Sequence, residues 1–165
     1  MEKIKSEHFE CIKEENSEEE HEKQWKRSKI IFDNFYEYLK NKGIKESTAG
    51  RRTEMAAYFI MDYVFVYDDV MNILEVSGDT IRTFLGNWYI RKYVKPNLSD
   101  IKSFLKSISD FYTFLQENNF ISNEHLSEIK KVCKDTQWFD MRLKTYFSAH
   151  GDDFYEWLQE YNYDI

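Results

Sequence analysis

Glu18 and His21 stand three residues apart, the Glu-x-x-His spacing with which one helix offers two ligands to a di-iron or di-manganese centre. Such a centre needs a second pair and two further carboxylates, and none of His8, His125 and His150 supplies that pair. The run from Glu18 to Glu22 therefore reads as a solvated acidic cluster. Asp152 and Asp153 follow Gly151 and read as a helix cap and first turn, where carboxylates complement the helix dipole, rather than as an acid/base pair. Cys11 and Cys133 lie far apart with no Cys-x-x-Cys, which suggests neither a disulfide framework nor a thiolate zinc site and fits a reducing compartment. The 12 tyrosines have no activating base or arginine pair nearby in sequence, so they read as core or rim rather than as nucleophiles. No P-loop, Gly-x-Gly-x-x-Gly or Gly-x-Ser-x-Gly occurs. The expectation is a protein without catalytic residues, metal or cofactor.

What remains is charge. The net charge of -7 hides a segregation: residues 1–24 carry four Lys against nine Glu, net -5, and residues 135–165 carry two basic against seven acidic residues, also net -5. Residues 25–134, with seventeen basic and fourteen acidic residues, are net +3. A basic middle between acidic ends leaves nucleic-acid binding open despite the acidic total. Arg51 and Arg52 fall in the first turns of an expected helix, where a cation opposes the helix dipole by a few tenths of a kcal/mol, so something else is expected to hold them.

The elements that must position these residues are helices. One proline and five glycines in 165 residues leave few interruptions among many straight-chain helix formers, and one domain is enough for this length. Aromatics make up 18% of the chain and recur at helical spacing, which reads as a Phe- and Tyr-rich core, with an exposed patch for a partner or for base stacking as the alternative. Residues 1–16 read as a flexible acidic lead-in, 17–134 as the helical domain and 135–165 as an acidic helical extension packed on it. Ser17 with Glu20 forms a capping box for a long first helix with Trp25, Ser28, Ile31, Phe32, Phe35, Tyr38 and Leu39 on its buried face, stopped by Gly43. Ser47 and Thr48 are expected to cap a second helix buried along Met55, Phe59, Tyr63 and Val66. Ser77 and Asp79 open a third, with Ile81, Phe84, Leu85 and Trp88, ending at Arg91, Lys92 and Lys95 before Pro96. Ser99 opens the fourth, whose Ile101, Phe104, Leu105, Ile108, Phe111, Tyr112 and Leu115 never break the amphipathic pattern. Ser122 opens a fifth with Leu126, Ile129 and Val132. Two acidic helices follow, with apolar faces of Trp138, Met141 and Tyr146, then Phe154, Trp157, Leu158 and Tyr161.

The stretches "FYEYLKNKGIKESTAGRRTEM", "ILEVSGDTIRTFL" and "LSDIKSFLKSISDFYTFLQENNFISN" resemble the N-terminal, SAM-like core-binding domain of tyrosine recombinases and phage integrases, from Phe32 to Val132. The resemblance implies an all-α, orthogonal helical bundle, here with a long N-terminal helix and extra C-terminal helices, that forms one half of a clamp on duplex DNA. It further implies DNA contact from the second and fourth helices through Arg51, Arg52, Lys102, Ser103 and Lys106, a surface to which Lys45 and the cluster Arg91, Lys92 and Lys95 are added. Two departures stand out. The family's exit turn runs into Asn-Pro, whereas Asn123 precedes Glu124, and the chain after Val132 is too short for the catalytic domain. His125 is followed at the third position by Glu128 and His150 by Asp153, so neither makes the family's His-x-x-Arg.

The expected function is a non-catalytic DNA-recognition module, an accessory or competitor in recombination, with weak, salt-dependent binding to duplex DNA. The alternatives are a helical protein-protein adaptor and an acidic inhibitor that mimics nucleic acid. Clustering of Lys and Arg on one surface favours the first, dispersal the second, and a carboxylate stripe the third. No apolar run approaches the roughly 20 residues that span a bilayer, and the N-terminus is no signal peptide. A cytoplasmic location is expected.

Overall fold

Ser17 opens the first helix as its spacing predicts: its Oγ accepts a hydrogen bond from the Glu20 amide at 3.2 Å, satisfying a donor that the first turn leaves unpaired. The computed structural model describes residues 1–12 and 17–160. Among these residues the chain forms seven helices and no β-strand. Helix α1 spans Glu18–Asn41. Helix α2 runs over Glu46–Tyr58, widens into a π-turn at Phe59–Val64 and closes with Phe65–Tyr67. Helix α3 is built the same way, from Gly78–Thr83 through a π-turn at Phe84–Trp88 to Tyr89–Lys92. Helices α4 (Leu98–Glu117), α5 (Asn123–Lys134), α6 (Thr136–Ser148) and α7 (Asp152–Gln159) follow. None of the described helices is long and apolar enough to cross a membrane.

Helix α4 is the axis of the core. Ile101, Phe104, Leu105, Ile108, Phe111, Tyr112 and Leu115 are all buried, and α2 and α5 pack most extensively against it. Phe111 stacks on Phe32 and meets Phe35 edge-on, both with ring centroids 5.3 Å apart. On its other side Phe104 meets Phe84 at 5.3 Å. The two π-turns lie against each other, with Phe59 and Tyr63 at 5.0 and 4.9 Å from Phe84 and Tyr63 at 5.4 Å from Trp88.

Several expectations are corrected. Trp25 is 55% exposed, because no residue of α1 before Ser28 is buried and the first turns run past the end of the bundle. Val66 is exposed as well: the wide turn shifts the helical phase, and the buried line passes through Ile60 and Val64 instead. Helix α2 begins at Glu46 behind Lys45 rather than at a Ser47 or Thr48 cap, since Gly43, with φ +82°, reverses the chain and lets Lys45 C=O accept the first helical bonds from Thr48 and Ala49. Asn97, not Ser99, caps α4, its side chain accepting from the Asp100 amide at 2.9 Å. Ser77 holds the N-cap position of α3 without a side-chain cap bond.

On α6 the buried residues are Phe139, Arg142 and Leu143, while Met141 is exposed. Gly86 explains the shift: a Cβ there would stand 2.5 Å from the Trp138 ring, so the missing side chain lets α6 press its Trp138–Arg142 edge onto α3. Tyr161 lies outside the described residues. The lead-in is not loose over residues 1–12. His8, Phe9 and Cys11 are buried, the Phe9 ring packs 4.8 Å from Phe120, and the Cys11 amide donates to Met71 C=O at 2.8 Å.

Burial sets the alkaline behaviour. Desolvation pushes the Cys133 thiol up to about 12, and burial, with Cys11, Asp68 and Cys133 nearby, raises the fully enclosed Tyr112 phenol well above its ordinary value. In the unfolded chain these groups ionise near their ordinary values of about 8.5 and 10. Below that range both states are neutral and stability is independent of these groups. Above it the unfolded state loses protons that the native state keeps, so stability falls as pH rises toward 12. The thermal midpoint is expected to be flat from pH 7 to about 8.5 and to fall above it, with Cys133 inert to a thiol reagent until the chain unfolds. A midpoint unchanged at about pH 10.5 would refute this.

Candidate nucleic-acid interface

Thr48, Arg51, Arg52 and Met55 follow one another along α2 at steps of three, one and three, and Ser99, Lys102, Ser103, Lys106 and Ser107 do the same along α4. Such spacing puts each set on one face of its helix. The two faces line a single groove of about 350 Å³. Small serines on α4 keep the floor open, and the long basic side chains form the walls. Ser103 Oγ donates to Ser99 C=O at 3.1 Å and Ser107 Oγ to Ser103 C=O at 2.8 Å. These hydroxyls spend their protons on their own helix, so contact with an anion in the groove falls to the cations.

No carboxylate lines the groove. Asp110, one turn beyond Lys106, meets Lys106 Nζ at 2.8 Å and Arg52 Nη1 at 3.0 Å. The Arg52 contact is one of charge, because Asp110 Oδ2 has no aligned hydrogen-bond donor. Asp110 thus bridges α2 to α4 and holds the Arg52 guanidinium at the groove wall. Pairs as open as Lys106, whose side chain is 58% exposed, add at most about 1 kcal/mol of stability, so the arrangement is positional. Arg51 and Lys102 are exposed and make no ion pair among the described residues. Four cations against the single carboxylate of Asp110 leave a surplus of three positive charges, which suits an anion with several oxygens, such as a run of backbone phosphates.

Five of the nine expected contact residues, Arg51, Arg52, Lys102, Ser103 and Lys106, are therefore brought together. The other four are not among the groove residues. Lys45 is exposed at the N-cap of α2. Arg91 is turned toward α3 itself, its Nε donating to Asn87 Oδ1 at 2.6 Å, while buried Asn87 donates to Leu158 C=O at 2.9 Å. Lys92 and Lys95 are exposed at and beyond the end of α3. Sequence reasoning missed Thr48, Met55, Ser99 and Ser107 as lining and Asp110 as the bridge. The signal was present for Thr48, Met55, Ser99 and Asp110, each three or four residues from a cation already singled out, while Ser107 stands four residues from Ser103.

The chain matches no family model, no curated protein and no solved structure with which it was compared.

Proposed function

We propose that the chain is a non-catalytic DNA-recognition module related to integrase core-binding domains, which seats the phosphate backbone of duplex DNA in the α2–α4 groove. The observation that carries the reading is the convergence of Arg51, Arg52, Lys102 and Lys106 on one hydroxyl-lined groove without a lining carboxylate. Absence of catalysis fits the phenols. Burial pushes Tyr89 up to about 12 and also raises Tyr112 and Tyr93, for these three the opposite of the activation that a tyrosine nucleophile needs.

The test is fluorescence anisotropy with random duplex DNA at several salt concentrations. A net surplus of three positive charges meeting three phosphates gives a log-log slope of about -2.7, so affinity falls about 40-fold between 50 and 200 mM salt. Arg51→Ala is expected to make the slope shallower by about one unit and to weaken all sequences alike, as a phosphate contact does. No binding at tens of micromolar protein and about 50 mM salt defeats the reading.

The acidic N-terminus modulates this binding by repulsion. Phe9 and Cys11 are part of the core, so truncation is the wrong way to remove the charge. Glu18→Gln with Glu19→Gln leaves the Ser17 cap in place and is expected to tighten DNA binding up to roughly tenfold at low ionic strength, with little effect at high salt. Equal affinities at low salt would show that the acidic end does not face the duplex.

A protein-protein adaptor is the second reading, favoured by one observation. Met141, Phe147 and Tyr155 are exposed on α6 and α7, and Met141 lines a groove with Asp153, Glu156 and Glu160. It becomes the leading reading if the DNA titration is blank.

A further inference from the structure

Four of the expected cations stand outside the α2–α4 groove, and two of them, Lys92 and Lys95, flank the tip that joins α3 to α4. Both are exposed and make no ion pair among the described residues. Between them Val94 is 94% exposed, more than any other large apolar side chain described. A single exposed valine is ordinary; this one is held out by a braced tip. Tyr93 packs its ring 4.3 Å from that of Tyr89 and 6.3 Å from that of Tyr58 on α2, and Pro96 is buried. The Asn97 amide donates to Tyr89 Oη at 3.4 Å, and Asn97 Nδ2 donates to Lys95 C=O at 3.3 Å. Asp100 accepts from the same Nδ2 at 2.8 Å and so belongs to the fastening of the tip.

The tip adjoins the groove. Ser99, one of the lining residues, stands four residues beyond Lys95, so their Cα atoms are no more than about 14 Å apart even along a fully extended chain. Tyr58, against which Tyr93 packs, is three residues beyond Met55, another lining residue. The major groove of B-form DNA is about 12 Å wide. A strand seated between α2 and α4 therefore brings the strand that faces it across the major groove within reach of the tip. Lys92 and Lys95 are point charges of the sign that its phosphates require. An apolar side chain held forward between two such cations meets base edges, and the apolar group displayed there is the C5-methyl of thymine.

We propose that the tip is a second DNA contact, in which Lys92 and Lys95 hold phosphates of the facing strand and Val94 packs against a thymine methyl in the major groove. This rests on the DNA reading of the α2–α4 groove and adds sequence preference to it: the groove cations meet phosphates of any sequence alike, whereas Val94 favours thymine where it touches. Arg91, bonded to Asn87, stays with α3 and takes no part.

The experiment is fluorescence anisotropy of the full chain with an A·T-rich duplex and with the same duplex in which uracil replaces every thymine, a change that removes only the C5-methyl. The groove alone gives a log-log salt slope of about -2.7, and two further phosphates take the wild-type slope to about -4.5. Lys92→Ala with Lys95→Ala is expected to return it to about -2.7. The thymine duplex is expected to bind about threefold more tightly than the uracil duplex, and Val94→Ser to abolish that difference. All three side chains are exposed, so the variants are expected to unfold as the wild type does. An unchanged slope in the lysine double variant, or equal affinities of the wild type for the two duplexes, overturns the proposal and leaves the groove reading standing. No binding of duplex DNA by the intact chain overturns both.

Discussion

Arg142→Ala is expected to cost about 3–5 kcal/mol, the range for breaking a buried charged network from one side. The side chain is wholly buried on α6 and reaches two other helices at once. Its Nε donates to Gly86 C=O in the π-turn of α3 and its Nη2 to Trp157 C=O on α7, both at 2.9 Å. The guanidinium lies 4.1 Å from the Trp157 ring centroid, and Trp157 Nε1 returns a hydrogen bond to Arg142 C=O at 3.0 Å. Nη1 meets Glu160 at 2.8 Å, but that carboxylate is 55% exposed, so its share is small. Most of the loss comes from two carbonyls that each lose a charged donor and from the vacated stacking surface. Arg142→Lys retains charge without the planar fork and is expected to recover only part of the loss. Urea unfolding followed by tryptophan emission measures both variants, and a loss under about 1 kcal/mol for Arg142→Ala would show that α7 is docked by other means.

Phe111→Ala is the second large effect, also about 3–5 kcal/mol. Phe111 is fully enclosed between Phe32 and Phe35 of α1 and beside Phe114 at 6.2 Å, with α4 at the centre and few ways to collapse into the space. Phe104→Ala probes the other side of α4, where the ring meets Phe84, Tyr89 and Tyr58 at 5.3, 5.8 and 5.9 Å. The same range is expected there. Losses below about 1 kcal/mol at both positions would refute the central placement of α4.

The centre of the fold was legible because its signal is local. On α4 the apolar positions recur without a break over 101–115, and no packing detail is needed to know which face is buried. The cations of the groove were legible for the same reason. Which two helices set their cationic faces opposite each other is a matter of packing, and periodicity within a helix does not carry it. Arg142 shows the limit clearly. Flanked by exposed Met141 and buried Leu143, it has the composition of a solvent-facing position, and the partners that bury it lie 15 to 56 residues away. Phe9 and Cys11 are isolated apolar residues in a charged segment; without a period, nothing in the local sequence separates a docked strap from a loose one. Asp79 was legible as a residue of the first turn of α3 but not as one wall of a pocket, since its neighbours there, Asp68 and Asp69, lie just past the end of α2.

The paired π-turns bear on how the chain can change in length. An α-helix closes each ring onto the fourth residue back and a π-turn onto the fifth, so each turn at Phe59–Val64 and Phe84–Trp88 stores one residue beyond the α-helical count. A single deletion inside either turn would restore α-helical winding and leave everything after it facing as before. The same deletion anywhere else in α2 or α3 would rotate the remainder of the helix by about 100°, taking Tyr67 off Trp88 or Tyr89 off Phe104. Loss of a single residue can therefore be absorbed at these two turns, and the rest of both helices is locked to its present length.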